Sequence, residues 1–144
     1  MRRLVALLLS LCLTLPVLGA DAARPERREV FGDVTIHYNA FGSSLLQPKV
    51  ARANGLVRSR NQGVLVIAVL RSGKTGIAAV SGKVRDLTGA SEPLAFRQVS
   101  DRGTVSYLAQ FRIERPQVLT FDLTVETGSV SHPLSFNQEI FPGE

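Results

Sequence analysis

Cysteine is all but missing from this chain of 144 residues: Cys12 is the only one, and it lies in an apolar stretch near the N-terminus. Leu11 stands before it where a lipoprotein signal wants Gly or Ala, so no lipid attachment is expected there. A domain that works outside the cytoplasm without a disulfide must be held by its core alone. Histidine is almost as scarce. His37 and His132 are the only two, so a transition-metal site would need both of them plus a carboxylate such as Asp33 or Glu139. The reading adopted for them is an exposed strand histidine and a turn histidine before Pro133. Tryptophan is absent, aromatics make up 6% of the chain and the basic residues are scattered, which argues against nucleic acid as a partner. Nor does any apolar run reach the roughly twenty residues of a membrane-spanning helix.

What is present at the N-terminus is a secretory signal. Arg2 and Arg3 form a positive leader, residues 4–18 are apolar, and Ala20-Asp21-Ala22 places small residues where a signal peptidase reads them. The expected organisation is therefore a signal peptide over 1–22, a flexible charged leader over 23–29 and a single domain over 30–144. That domain is periplasmic, with no transmembrane segment after cleavage. The whole chain carries a net charge of +5. Setting aside Arg2, Arg3 and Asp21 leaves about +4, a mild excess that draws the protein only weakly toward polyanionic envelope groups.

The hydrophobic period of the domain is mostly two. Val34, Ile36, Tyr38 and Ala40 share one face of a first strand, with Thr35, His37 and Asn39 on the other. Residues 64–70 are continuously apolar and rich in β-branched side chains, as in a central strand covered on both sides. Further strands are expected over 77–87, 93–99, 105–113, 119–125 and 134–140, with Glu114-Arg115-Pro116-Gln117 making a hairpin. About seven strands in so short a chain predict an all-β fold, an antiparallel β-sandwich of immunoglobulin-like or related topology. The connection over 42–63 is too long for a hairpin loop. Within it Pro48 and Gly55 bracket one short helix, with Pro in its first turn and Gly just past its end.

Catalytic patterns do not survive inspection. The segment Ala68-Val69-Leu70-Arg71-Ser72-Gly73-Lys74-Thr75 mimics a phosphate-binding loop, but β-branched residues follow where that loop needs a helix, so a hairpin turn is expected instead. Ser43, Ser44, Asp33 and His37 show no nucleophile-elbow spacing. No catalytic residue, metal or cofactor is assigned, and the protein is read as a non-enzyme. The segment best suited to binding is Leu56-Val57-Arg58-Ser59-Arg60-Asn61-Gln62-Gly63, where two guanidinium groups flank a turn-forming serine. Arg58 or Arg60 could instead pair internally with Asp33 or Glu139. The candidate site combines Arg58, Arg60 and Asn61 with His37 and Asn39 of the first strand.

Three stretches carry a family resemblance: Phe31-Gly32-Asp33-Val34-Thr35-Ile36-His37-Tyr38-Asn39-Ala40-Phe41, then Ser43-Ser44-Leu45-Leu46-Gln47-Pro48, then Arg58-Ser59-Arg60-Asn61-Gln62-Gly63. Together with Phe136-Asn137-Gln138 they resemble a family of small exported proteobacterial proteins known as domain of unknown function 4426, from about residue 29 to 141. The resemblance implies a Gram-negative periplasmic location and no activity. Two functions follow: an interaction module for an unknown periplasmic protein or envelope component, or a small-ligand or metal binder using a cleft between the first strand and the 42–63 connection. An exposed apolar or basic patch around Leu45, Leu46, Arg58 and Arg60 favours the first. Convergence of His37, Arg58 and Asn61 on one pocket favours the second.

Overall fold

The computed structural model describes residues 27–143; the expected signal peptide and the start of the leader lie outside these residues. Strand alternation decides the architecture. Every long strand has one face of Val, Ile, Leu, Phe or Tyr, and two sheets bury those faces against each other. The first sheet runs in the order β1 (Arg28–Phe31), β2 (Val34–Gly42), β3 (Gln62–Arg71), β8 (Thr104–Arg112), β7 (Arg97–Asp101), with β4 (Lys74–Thr75) beside the end of β3. The second has the order β10 (Val130–Ile140), β9 (Gln117–Thr127), β5 (Ala79–Arg85), β6 (Ser91–Pro93). All pairings are antiparallel, giving the expected all-β sandwich.

Aromatic rings tie the layers together. Tyr38 of sheet one stacks on Phe136 of sheet two at 4.3 Å, Phe136 on Phe121 at 5.0 Å, and Phe121 meets Phe111 of sheet one edge-on at 5.0 Å. Phe136 and Phe121 are direct cross-strand partners, so the sheet register itself builds the stack. Phe111 in turn requires Gly63 opposite it, because a Cβ there would lie 2.2 Å from the ring. Tyr107 adds a polar tie: its buried hydroxyl accepts the Ala78 N–H at 2.7 Å.

Expectation and structure differ in which sheet some strands join and in where two strands begin. Residues 114–116 do not close a hairpin; they arch from β8 in sheet one to β9 in sheet two. A four-residue polar turn reads the same in either role, and Ile113, fully buried inside the arch, is the side chain that separates them. The expected strand over 93–99 is two short strands in different sheets, β6 and β7, with Leu94 buried at the crossing. Arg28 and Glu29, assigned to the leader, belong to β1 and pair with His37 and Ile36. His132 is no turn residue: it sits buried within β10, 2.9 Å from Thr127 Oγ1 and against the Phe31 ring. Ser72 and Gly73 (φ 50° and 75°) form a two-residue turn between β3 and β4, so the phosphate-loop look-alike is a hairpin.

The outer faces of the two sheets are unlike. That of sheet two is polar, with Arg85 Nε donating to Asp122 at 2.6 Å, Ser135 to the same carboxylate at 2.8 Å and Thr120 to Asn137 at 2.8 Å. On sheet one, by contrast, Phe41, Val64, Val66 and Leu108 point outward, and the 42–63 connection folds over them.

Truncating Phe121, which is fully buried between the rings of Phe111 and Phe136, is expected to cost about 3–5 kcal/mol, a large part of the stability of a domain this size, measurable as a lowered urea midpoint. A pH effect follows from Asp122. The hydrogen bond from Arg85, then that from Ser135, holds its carboxyl below the usual range. Folding thus lowers this pKa, so the stabilisation is present above the unfolded value of about 3.9 and is lost as pH falls through the folded one. Asp122→Asn should flatten that part of the Tm-against-pH curve below about pH 4 and leave its shape above pH 6 unchanged.

Candidate functional site

The connection between β2 and β3 is built to stay in place. Ser43, fully buried in a 3-10 turn (Ser43–Leu45), donates its hydroxyl to the Ser59 carbonyl at 3.0 Å and accepts the Ser59 N–H at 2.9 Å. One side chain therefore joins the two ends of the connection. Between them α1 (Pro48–Ala53) begins with proline in its first turn and ends in a left-handed Gly55, φ +60°. The Leu56 and Gly55 N–H groups return to Ala51 and Arg52 carbonyls at 2.8 and 3.1 Å, a doubly bonded C-terminal cap. Gln110, on the outer face of β8, clamps Val57 at both backbone groups (3.1 and 2.9 Å), and Arg97 donates to the Asn54 carbonyl.

Under and beside this bridge lie two recesses. One, of about 440 Å³, is floored by Val64, Val66 and Leu108 and walled by Leu46, Val50 and Leu56. The other, of about 960 Å³, runs along β2 and the end of β10 and is lined by Arg27, His37, Asn39, Leu45, Glu139 and Phe141 among others. Phe41 and Val66 line both, so the two adjoin as one trough; its larger part also takes in the inward-facing Tyr38, Ala40 and Ile140 and so reaches round the edge of β2 from the outer face of sheet one. Leu45 and Phe141 at its mouth are 77% and 58% exposed.

His37 and Asn39 are thus in the trough. Asn61 lines a different, polar cavity of about 480 Å³ at the end of the sandwich, beside Glu92, Gln110 and Glu114. Arg58 and Arg60 pair with neither Asp33 nor Glu139. Arg58 donates to the Ser44 carbonyl at 3.2 Å and Arg60 to the Gly143 carbonyl at 3.1 Å. For Asp33 the ladder explains why: it sits by Arg71 at one end of the β2–β3 pair, and the arginines sit beyond Gly42 and Gly63 at the other, about 27 Å away. His37, Arg58 and Asn61 do not converge on one pocket. Sequence reasoning missed Arg27, Phe41, Val66 and Phe141. The continuous apolar run of β3 was the available signal, because a strand apolar on both faces needs cover on both.

A family model described as "Domain of unknown function (DUF4426)" matches residues 28–143. The chain belongs to that family. The crystal structure of a DUF4426 family protein from Pseudomonas aeruginosa PAO1 is 49% identical to this chain, with a TM-score of 0.76 over 83% of this chain and 97% of that one. Two crystal structures of FetP from uropathogenic Escherichia coli strain F11 share the fold at 10% identity. A copper-bound variant has a TM-score of 0.55 over 81% of this chain and 94% of its own. FetP as isolated after expression in the periplasm has a TM-score of 0.51 over 82% and 93%. No curated protein sequence matches the chain.

Among the described residues of this DUF4426 protein, no three His, Cys, Asp or Glu side chains stand close enough to hold a metal ion. His37 faces outward into the trough and His132 inward against Phe31, so the two histidines occupy opposite faces of their sheets. Nor, among the described residues, is any helix long and apolar enough to cross a membrane.

The Ser43 clamp sets the integrity of the trough. Ser43→Ala leaves the Ser59 N–H and carbonyl without their partner and is expected to cost about 1–3 kcal/mol. Hydrogen exchange should show the loss of protection concentrated at Ser59 and its neighbours rather than spread over both sheets.

Proposed function

We propose that this protein is a non-enzymatic binding module of the periplasm, which takes a partner protein or envelope component on the trough side of sheet one. The observation that carries the reading is the pair Leu45 and Phe141. Both are large, apolar and mostly exposed, and both line the mouth of one cavity rather than lying scattered over the surface. Arg58 and Arg60 reach the backbone of Ser44 and Gly143, close in sequence to these two residues, so a basic border adjoins the apolar mouth. His37 and Asn39 supply polar groups on the β2 wall. A border of this kind, around an apolar centre, is how protein surfaces commonly combine affinity with orientation.

The location rests on the N-terminal signal read from residues 1–22. The polar cavity that contains Asn61 lies apart from this surface and is not part of the reading.

Capture from periplasmic and membrane extract tests it. The tagged exported protein should retain a specific component that the double variant Leu45→Glu, Phe141→Glu, with unchanged Tm, no longer retains. Equal recovery by both proteins, or recovery by neither, removes the reading.

A further inference from the structure

The net charge of the chain is small, but it is unevenly spread. The 42–63 connection holds Lys49, Arg52, Arg58 and Arg60 and no Asp or Glu, so it supplies +4 of the chain's +5. Helix geometry turns two of these cations toward solvent. Ala51 is the buried residue of α1, which sets Lys49 on the far side of the helix and Arg52 on its flank, both exposed. Two more come from the end of sheet one. The β7–β8 register pairs Arg97 with the outward-facing Leu108 and so sets it on the outer face, where it donates to the Asn54 carbonyl at the end of α1. Arg102, in the turn after β7, lines the recess together with Val50 and Asn54. None of Lys49, Arg52, Arg58, Arg97 and Arg102 forms an ion pair with a described residue, and Asp101 is the one carboxylate among the described residues lining that recess. In the same connection Leu45, Val50 and Val57 are large, apolar and exposed.

We infer that the 42–63 connection, with Arg97 and Arg102 beside it, is a docking surface for a bilayer that contains anionic phospholipid. This rests on the binding-module reading above and names the partner for the same side of sheet one. The mixture of side chains favours lipid over a folded acidic partner. Single aliphatic side chains in a stretch of cations can enter the head-group layer while the charges stay at the phosphates. Each cation held near such a surface is worth about fivefold in affinity, so five of them on one face make a chain of low net charge an effective binder.

The experiment is sedimentation of the exported protein with vesicles of phosphatidylcholine that contain about a third phosphatidylglycerol, beside vesicles of phosphatidylcholine alone. The protein should bind the anionic vesicles about a hundredfold or more tightly, and lose that preference as salt is raised. Lys49→Gln with Arg52→Gln should weaken binding about 25-fold at unchanged Tm, since both side chains are exposed. Leu45→Ser should weaken it roughly tenfold. Lys83→Gln with Arg115→Gln removes the same charge from β5 of sheet two and from the 114–116 arch, and should cost less than about fivefold. Equal binding to both kinds of vesicle, or equal losses for the two charge pairs, overturns the assignment of this surface. Absence of vesicle binding, while the capture experiment still recovers a component lost on Leu45→Glu, Phe141→Glu, overturns this inference and leaves the binding-module reading standing. Failure of both experiments removes both.

Discussion

Strand β3 carries apolar side chains on both faces, and a second sheet can cover only one of them. Leu65, Ile67 and Val69 go inward to the sandwich core; Val64, Val66 and Ala68 go outward. That imbalance is the constraint on which the rest depends. Water contact along the outer row would cost roughly 25 cal/mol for each Å² left uncovered, so some other part of the chain has to lie over it. The 42–63 connection does so, and its length, its helix and its clamps are explained by that duty.

The cover is partial. Val64 lies under the connection and is fully buried, whereas Val66 and Ala68 are only half-buried. Covering stops there because the connection is fastened at its two ends by a single residue, Ser43, and at its middle by Gln110, all toward one end of the sheet. The trough is the remaining uncovered part of a hydrophobic face. Sheet two needs no such cover, since Asp122, Arg85, Ser135, Thr120 and Asn137 satisfy one another on its outer side.

Much of this was legible in the sequence, and the rest was hidden for definable reasons. Period-two alternation in β2, β8, β9 and β10 marked the strands and their inner faces, because burial on one side imposes that pattern directly. Pro48 and Gly55 marked both ends of α1, since each residue has a backbone reason for its place there. Sheet membership was not readable. A turn such as 114–116 has the same composition whether it reverses a strand within one sheet or carries it to the next, and strands 93–99 and 105–113 were affected alike. Of the site residues expected from sequence, His37 and Asn39 line the trough, Arg58 and Arg60 bond to the backbone of Ser44 and Gly143 beside its mouth, and Asn61 lines a separate cavity. Neighbours in sequence at a turn point in different directions, and nothing in their identity says which.

The strand order has a further meaning for the life of the chain as it is made. β3 ends up between β2 and β8, yet β4 to β7 are synthesised before β8 exists. An emerging polypeptide therefore holds its most apolar strand with one long edge open until most of the domain has left the ribosome. Closing such distant pairs is slow compared with local hairpins, and an open apolar strand is an aggregation hazard in the interval. Until β8 arrives, β3 has only β2 and the short β4 to pair with, so the sheet that carries the trough is among the last parts of the domain to close.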